Sequence, residues 1–115
     1  MQTKTICFDL DNVICNTKLN HYSKSTPKKD VIKLINKLYS KNHKIIIFTA
    51  RGMGTYKKNL KFIEKKYRKL TEKQLMNWRV NYHELIFGKP SYDLYIDDKN
   101  YNFKKIGIKI LKFND

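Results

Sequence analysis

Acidic residues are in short supply: 10 aspartates and glutamates face 25 lysines and arginines across 115 residues, a formal net charge of +15. So basic a chain is not built to meet basic partners, and its field favours polyanions or an anionic surface. Cysteine is scarce too. Cys7 and Cys15 are the only two; neither has a CxxC partner or a histidine at zinc-finger spacing, which argues against a disulfide framework or a thiolate zinc site. Cys7 sits in an apolar run and reads as a small core residue. Cys15 lacks the arginine loop a thiol phosphatase needs and is not read as a nucleophile. No apolar stretch approaches the roughly 20 residues of a membrane span. No signal peptide or lipidation motif is visible, so the expectation is a soluble, cytoplasmic protein with no membrane partner.

Arginine is the other shortage, with only Arg51, Arg68 and Arg79. Surfaces that read bases or clamp phosphates favour arginine forks. The lysine excess comes with many asparagines, isoleucines and tyrosines and little alanine or glycine, a pattern that AT-rich coding bias explains as well as a binding face does. Nucleic acid is therefore compatible with the charge but is not the favoured partner.

Hydrophobic residues make up 41% of the chain, enough for one core and too few residues for a second, so 1–115 reads as a single domain. Residues 4–8 read as a buried strand and 12–26 as a loop. Thr26-Pro27 looks like an N-cap with proline at the first helical position. Val31, Leu34, Ile35 and Leu38 then share one helix face, with Lys29, Lys33, Lys37 and Lys41 on the other, read as solvated. Ile45–Phe48 is a second strand. Leu60, Ile63, Tyr67 and Leu70 mark a second helix, and Thr71 with Gln74 a capping box for a third through Trp78. Glu84–Phe87, Asp93–Ile96 and Ile106–Leu111 complete the strands. Near-continuous apolar strands alternating with helices predict an α/β, Rossmann-like, mainly parallel sheet with helices on both faces.

"FDLDN" places Asp9 and Asp11 at the end of the first strand, where an unpaired buried charge would be costly. The other strands end alike: Thr49-Ala50-Arg51 on the second, Lys89 on the third, Asp97 and Asp98 on the fourth. In open α/β sheets the ligand crevice lies outside the carboxyl ends of the strands, so a parallel sheet gathers all of these at one edge. Carboxylates without a histidine or cysteine cluster suit a hard cation, and Mg²⁺ is expected, held by Asp9, Asp11, Asp97 and Asp98, with Asp98 also readable as orienting the ion from outside. Asp9 is the expected nucleophile, forming an acyl phosphate, and Asp11 the proton donor and acceptor. Thr49, Ala50 and Lys89 are the expected phosphate-binding residues. Arg51 reads two ways, as a substrate contact or as the partner of an acidic neighbour. The three histidines follow no ligand spacing, and Trp78 and the tyrosines read as core.

"FDLDNVI", "IIFTAR", "FGKP" and "YIDD" resemble, in order, the four motifs of the haloacid dehalogenase-like phosphatases. "TARGMGTYKKN" and "ELIFGKPSYDLYIDDK" are similar to the small capsule-biosynthesis phosphatases of that superfamily, although those relatives often carry tryptophan where Ser91-Tyr92 stands here. The resemblance implies a core without a cap domain, since the segment after the first motif is short. The open site that results admits macromolecules, or small substrates with a second copy of the chain as lid. The expected function is a Mg²⁺-dependent phosphomonoesterase acting on a sugar phosphate or similar small metabolite in polysaccharide synthesis. The alternatives are a phosphatase of nucleic-acid ends or nucleotides, using the basic surface, and a non-catalytic basic binding module on the same scaffold.

Overall fold

The β-branched run Ile45-Ile46-Ile47 forms the middle of the sheet. In the computed structural model, which describes residues 2–56 and 59–102, β1 (Thr5–Asp9), β4 (Lys44–Thr49) and β5 (Glu84–Phe87) form a three-stranded parallel sheet in the order β1-β4-β5. Asp9 pairs with Phe48, and Thr49 with Phe87, so the three strands finish side by side. Between β1 and β4 lie β2 (Cys15–Asn16), β3 (Thr26–Pro27) and α1 (Lys29–Ser40); α2 (Leu60–Asn77) joins β4 to β5. Parallel neighbours need such crossovers. The core joins Phe8, Ile45, Ile47 and Phe87 of the sheet to Ile35 of α1 and Ile63 of α2. No helix among the described residues is long and apolar enough to cross a membrane.

α1 buries Val31, Ile32, Ile35 and Leu38, while Lys29, Lys33, Lys37 and Lys41 are exposed. Its start differs from the expectation. Thr26 and Pro27 pair antiparallel with Asn16 and Cys15, the Lys28 N–H donates to the Ile14 carbonyl, and Lys28 is the N-cap. The ladder outcompetes the capping motif because proline, with no N–H, suits an edge strand as well as a first helical turn. The 12–26 loop accordingly contains β2, a 3₁₀ turn at Tyr22–Lys24 and the first residue of β3.

The second and third helices expected from the sequence are one. Asn59 caps α2 by accepting from the Phe62 N–H, and the helix runs through Thr71 unbroken. The Thr71 hydroxyl donates back to the Tyr67 carbonyl, a bond that serves a helix interior, so the residue does not cap. The fourth strand is also corrected. Residues 93–96 form no strand; Leu94 is 75% and Ile96 87% exposed. A strand exists through its ladder, and among the described residues none reaches this segment. Cys7 is exposed rather than core: neighbours on a strand face opposite sides, and the core lies on the side of Phe8. The Ile106–Leu111 strand lies outside the described residues.

Candidate active site

The parallel register delivers Asp9, Thr49 and Lys89 to one edge. β1 ends on Asp9 and β4 on Thr49. β5 is followed by Gly88 at φ +101°, a conformation that side chains disfavour. That turn brings the Lys89 N–H onto the Thr49 carbonyl at 3.1 Å and its ammonium to 3.5 Å from Asp9 Oδ2. Asp9, Lys89 and Tyr92 line two adjoining cavities, one of about 290 Å³ that also reaches Asp11 and Ala50, the other of about 1030 Å³ that also reaches Cys7, Asp97 and Asp98.

Burial pushes the Asp9 carboxyl above its ordinary range; the Lys89 charge and the Leu10 N–H pull it down without cancelling the effect. Burial also works against the Lys89 charge, but the Tyr92 hydroxyl and the Asp9 carboxylate outweigh it, and its pKa is raised. Asp9 and Lys89 thus share a charge balance in a partly desolvated site. Lys89 also lies 5.3 Å and 5.1 Å from the ring centroids of Tyr92 and Tyr95. These rings are 5.1 Å apart and about two-fifths exposed, so they are surface aromatics at the site and not the core residues expected.

Thr49 is fully buried, and its hydroxyl accepts the Arg51 N–H at 3.1 Å, leaving its own proton to donate. Arg51 turns inward. Its guanidinium is wholly buried and pairs with Asp11, Nη2 to Oδ1 at 3.0 Å and Nε to Oδ2 at 3.1 Å. Nη1 donates to Thr71 Oγ1 at 3.0 Å and Gln74 Oε1 at 2.6 Å. Of the two readings of Arg51, the acidic partner is the one the structure contains, and Arg51 borders neither of these two cavities. Thr71 and Gln74, three apart on one face of α2, have the spacing of a capping box, and nothing in that spacing signals their part in holding Arg51.

The oxygen donors suit Mg²⁺ in kind. Among the described residues, however, no three Asp, Glu, His or Cys side chains form a group able to hold a metal ion. Asp11 is engaged by Arg51. Asp97 is turned to solvent, its carboxylate accepting the Lys99 N–H at 3.0 Å, a bond that lowers its pKa. The four carboxylates expected as ligands are therefore not gathered on one point, although Asp9, Asp97 and Asp98 border one cavity.

No family model matches the chain, and neither does any curated protein. Among solved structures it is similar to a structural-genomics target from Vibrio cholerae, with 27% identity and a TM-score of 0.83, over 93% of this chain and 89% of that one. Two structures of the Pnkp1/Rnl/Hen1 complex, one described as an RNA repair complex, each match with a TM-score of 0.57. Their identities are 18% and 17%, over 84% and 93% of this chain, a likeness of fold. The chain spans only 31% and 30% of the lengths of those two chains.

Proposed function

We propose that the chain is a phosphomonoesterase of the haloacid dehalogenase-like kind, with a capless core, and that Asp9 is its nucleophile. The observation that carries this is the Asp9–Lys89 pair, 3.5 Å apart at the carboxyl edge of a parallel sheet and bordering both cavities. A carboxylate attacking a phosphoryl dianion meets like-charge repulsion, and an ammonium beside it lowers that repulsion. Asp9 forms a bond to phosphorus as the ester P–O bond breaks. The departing oxygen takes a proton from Asp11, and water later cleaves the acyl phosphate, returning a proton to Asp11. Thr49, Ala50 and Lys89 receive the phosphoryl oxygens. Mg²⁺ is the proposed cofactor on the chemistry of Asp9, Asp97 and Asp98, and when bound it supplies Lewis-acid polarisation of the phosphoryl group.

For the substrate we favour a phosphorylated nucleic-acid end. Three observations support it: the +15 charge, the exposed Tyr92–Tyr95 pair beside Lys89, and the larger of the two cavities. The RNA-repair context of two chains sharing the fold agrees with it. A sugar phosphate is the second reading, favoured by the "TARGMGTYKKN" segment.

The test is phosphate release from 5′- and 3′-phosphorylated oligonucleotides and from a sugar-phosphate panel, with Mg²⁺ and with chelator, by wild type and Asp9→Asn. Metal-dependent release from oligonucleotides, abolished in the variant, is the expected result. Release from sugar phosphates alone moves the second reading ahead. No release from any ester turns the chain into a basic binding module.

A further inference from the structure

Asp11 is oriented by groups from two separate parts of the fold, the 15–17 segment and Arg51, and its two oxygens are treated differently. Oδ1 accepts from Thr17 Oγ1 at 2.6 Å, Arg51 Nη2 at 3.0 Å, Arg51 Nε at 3.3 Å and Cys15 Sγ at 3.6 Å. Oδ2 accepts from Arg51 Nε at 3.1 Å, and no other donor to it is found among the described residues. Asp11 is also one of the residues bordering the smaller cavity with Asp9 and Lys89. We propose that Arg51 is a positioning residue: its Nη2 and Nε fix the plane of the Asp11 carboxyl, helping to saturate Oδ1 and taking one site on Oδ2, so that the remaining site of Oδ2 is the one that exchanges the proton with the leaving group and with water. The inference rests on the proton-transfer role given to Asp11 above.

Arg51 is itself immobilised. Thr71 and Gln74 hold Nη1, the Tyr22 ring lies 5.0 Å from the guanidinium carbon, and the Arg51 N–H is bonded to Thr49. A guanidinium presents its donors in a fixed planar fork, so fixing one edge fixes the direction in which the other meets a carboxylate. A lysine could supply the charge but not that direction.

The same cluster ties down the segment that follows β2. Gln74 Nε2 donates to the Tyr22 carbonyl at 2.6 Å, the Gly52 N–H donates to the Tyr22 hydroxyl at 3.2 Å, and Thr17 and Ser25 share a bond of 2.6 Å beside Arg51 Nη2. Tyr22, Ser25 and the Asp11 carboxylate therefore all meet one guanidinium.

A proton donor matters most when the departing oxygen is strongly basic. Arg51→Met should cut kcat/KM on an alkyl phosphate about 100-fold and on p-nitrophenyl phosphate, whose phenolate leaves without a proton, by no more than about threefold. On the alkyl ester, Arg51→Met combined with Asp11→Asn should be no slower than Asp11→Asn alone, the non-additivity of residues acting as a unit. Gln74→Met keeps the ion pair while removing one of the two bonds that hold Nη1, and should show the same selective loss at about tenfold; it decides the matter if Arg51→Met does not fold. Equal losses on the two esters, or losses that add to that of Asp11→Asn, overturn the inference in an active enzyme. A wild type that cleaves neither ester overturns the catalytic reading, and the inference falls with it.

Discussion

Lys89 Nζ lies 3.5 Å from Asp9 Oδ2 although the strands that deliver them, β5 and β1, are separated in the sheet by β4. The contact crosses the end of the middle strand, where the Lys89 N–H is bonded to Thr49. Both groups are partly removed from water, so each tunes the other.

Replacing Lys89 with methionine removes the cation that holds the Asp9 carboxyl down against burial. The Asp9 pKa then rises further, and since attack requires the ionised form, the acidic limb of the pH–rate profile moves to higher pH. The plateau rate should also fall about 100- to 1000-fold, the scale for one lost transition-state donor. Steady-state kinetics of Lys89→Met across pH check both effects. An unmoved limb would remove Lys89 from the electrostatics of Asp9.

Asp9→Asn should abolish turnover yet stabilise the fold. The folded-state pKa of Asp9 is raised with the Lys89 attraction already included. Between the unfolded and folded pKa values the folded chain binds more protons, so stability falls as pH rises through that window and stays lower above it. An asparagine carries no charge to desolvate. Thermal unfolding at neutral pH should show the variant's midpoint a few degrees above wild type. The difference should close as pH drops below the ordinary carboxylate range. A lower midpoint at neutral pH would contradict this.

The sheet was legible because Ile45–Phe48 and Glu84–Phe87 are β-branched or apolar runs bounded by polar residues, and their ends carried the site residues with them. Asp93–Ile96 has the same look but no ladder among the described residues, and a run of side chains cannot announce a missing neighbour. The merged α2 was hidden because Thr71 and Gln74 have the spacing of a capping box, while their use inside a helix depends on Arg51, 20 and 23 residues away. Arg51 and Asp11 are 40 residues apart, which is why two readings of the arginine stood side by side. Tyr92 and Tyr95 read as core because exposure is a tertiary property, one that an aromatic side chain does not announce.

The turn after β4 should be less tolerant than the one after β5. Gly52 lies at φ +80°, and a Cβ there would stand 2.9 Å from the Tyr67 ring and 3.1 Å from Ile63. Gly88 is also at positive φ, but its nearest neighbour, a Leu60 methyl, is 3.4 Å away on a flexible side chain. Gly52→Ala meets both strain and overpacking, costing about 2–4 kcal/mol, whereas Gly88→Ala meets mainly strain, about 1 kcal/mol. Urea denaturation of the two variants measures the order, and the reverse ranking would refute it.

The aromatic pair separates the two substrate readings. Tyr92 and Tyr95 flank Lys89 with rings exposed, and a base stacked on such a ring contributes about 1–3 kcal/mol, so Tyr95→Ala should raise KM for a phosphorylated oligonucleotide roughly tenfold. Its effect on p-nitrophenyl phosphate should show in neither KM nor kcat, since that ester has no neighbouring base. Added salt should raise KM for the oligonucleotide steeply as counterions displace the lysine contacts, and barely alter KM for the aryl ester. Tyr95→Ala acting equally on both esters, with no difference in salt response, would mean that the rings serve the phosphate through Lys89 alone. The +15 charge would then have no part in choosing the substrate.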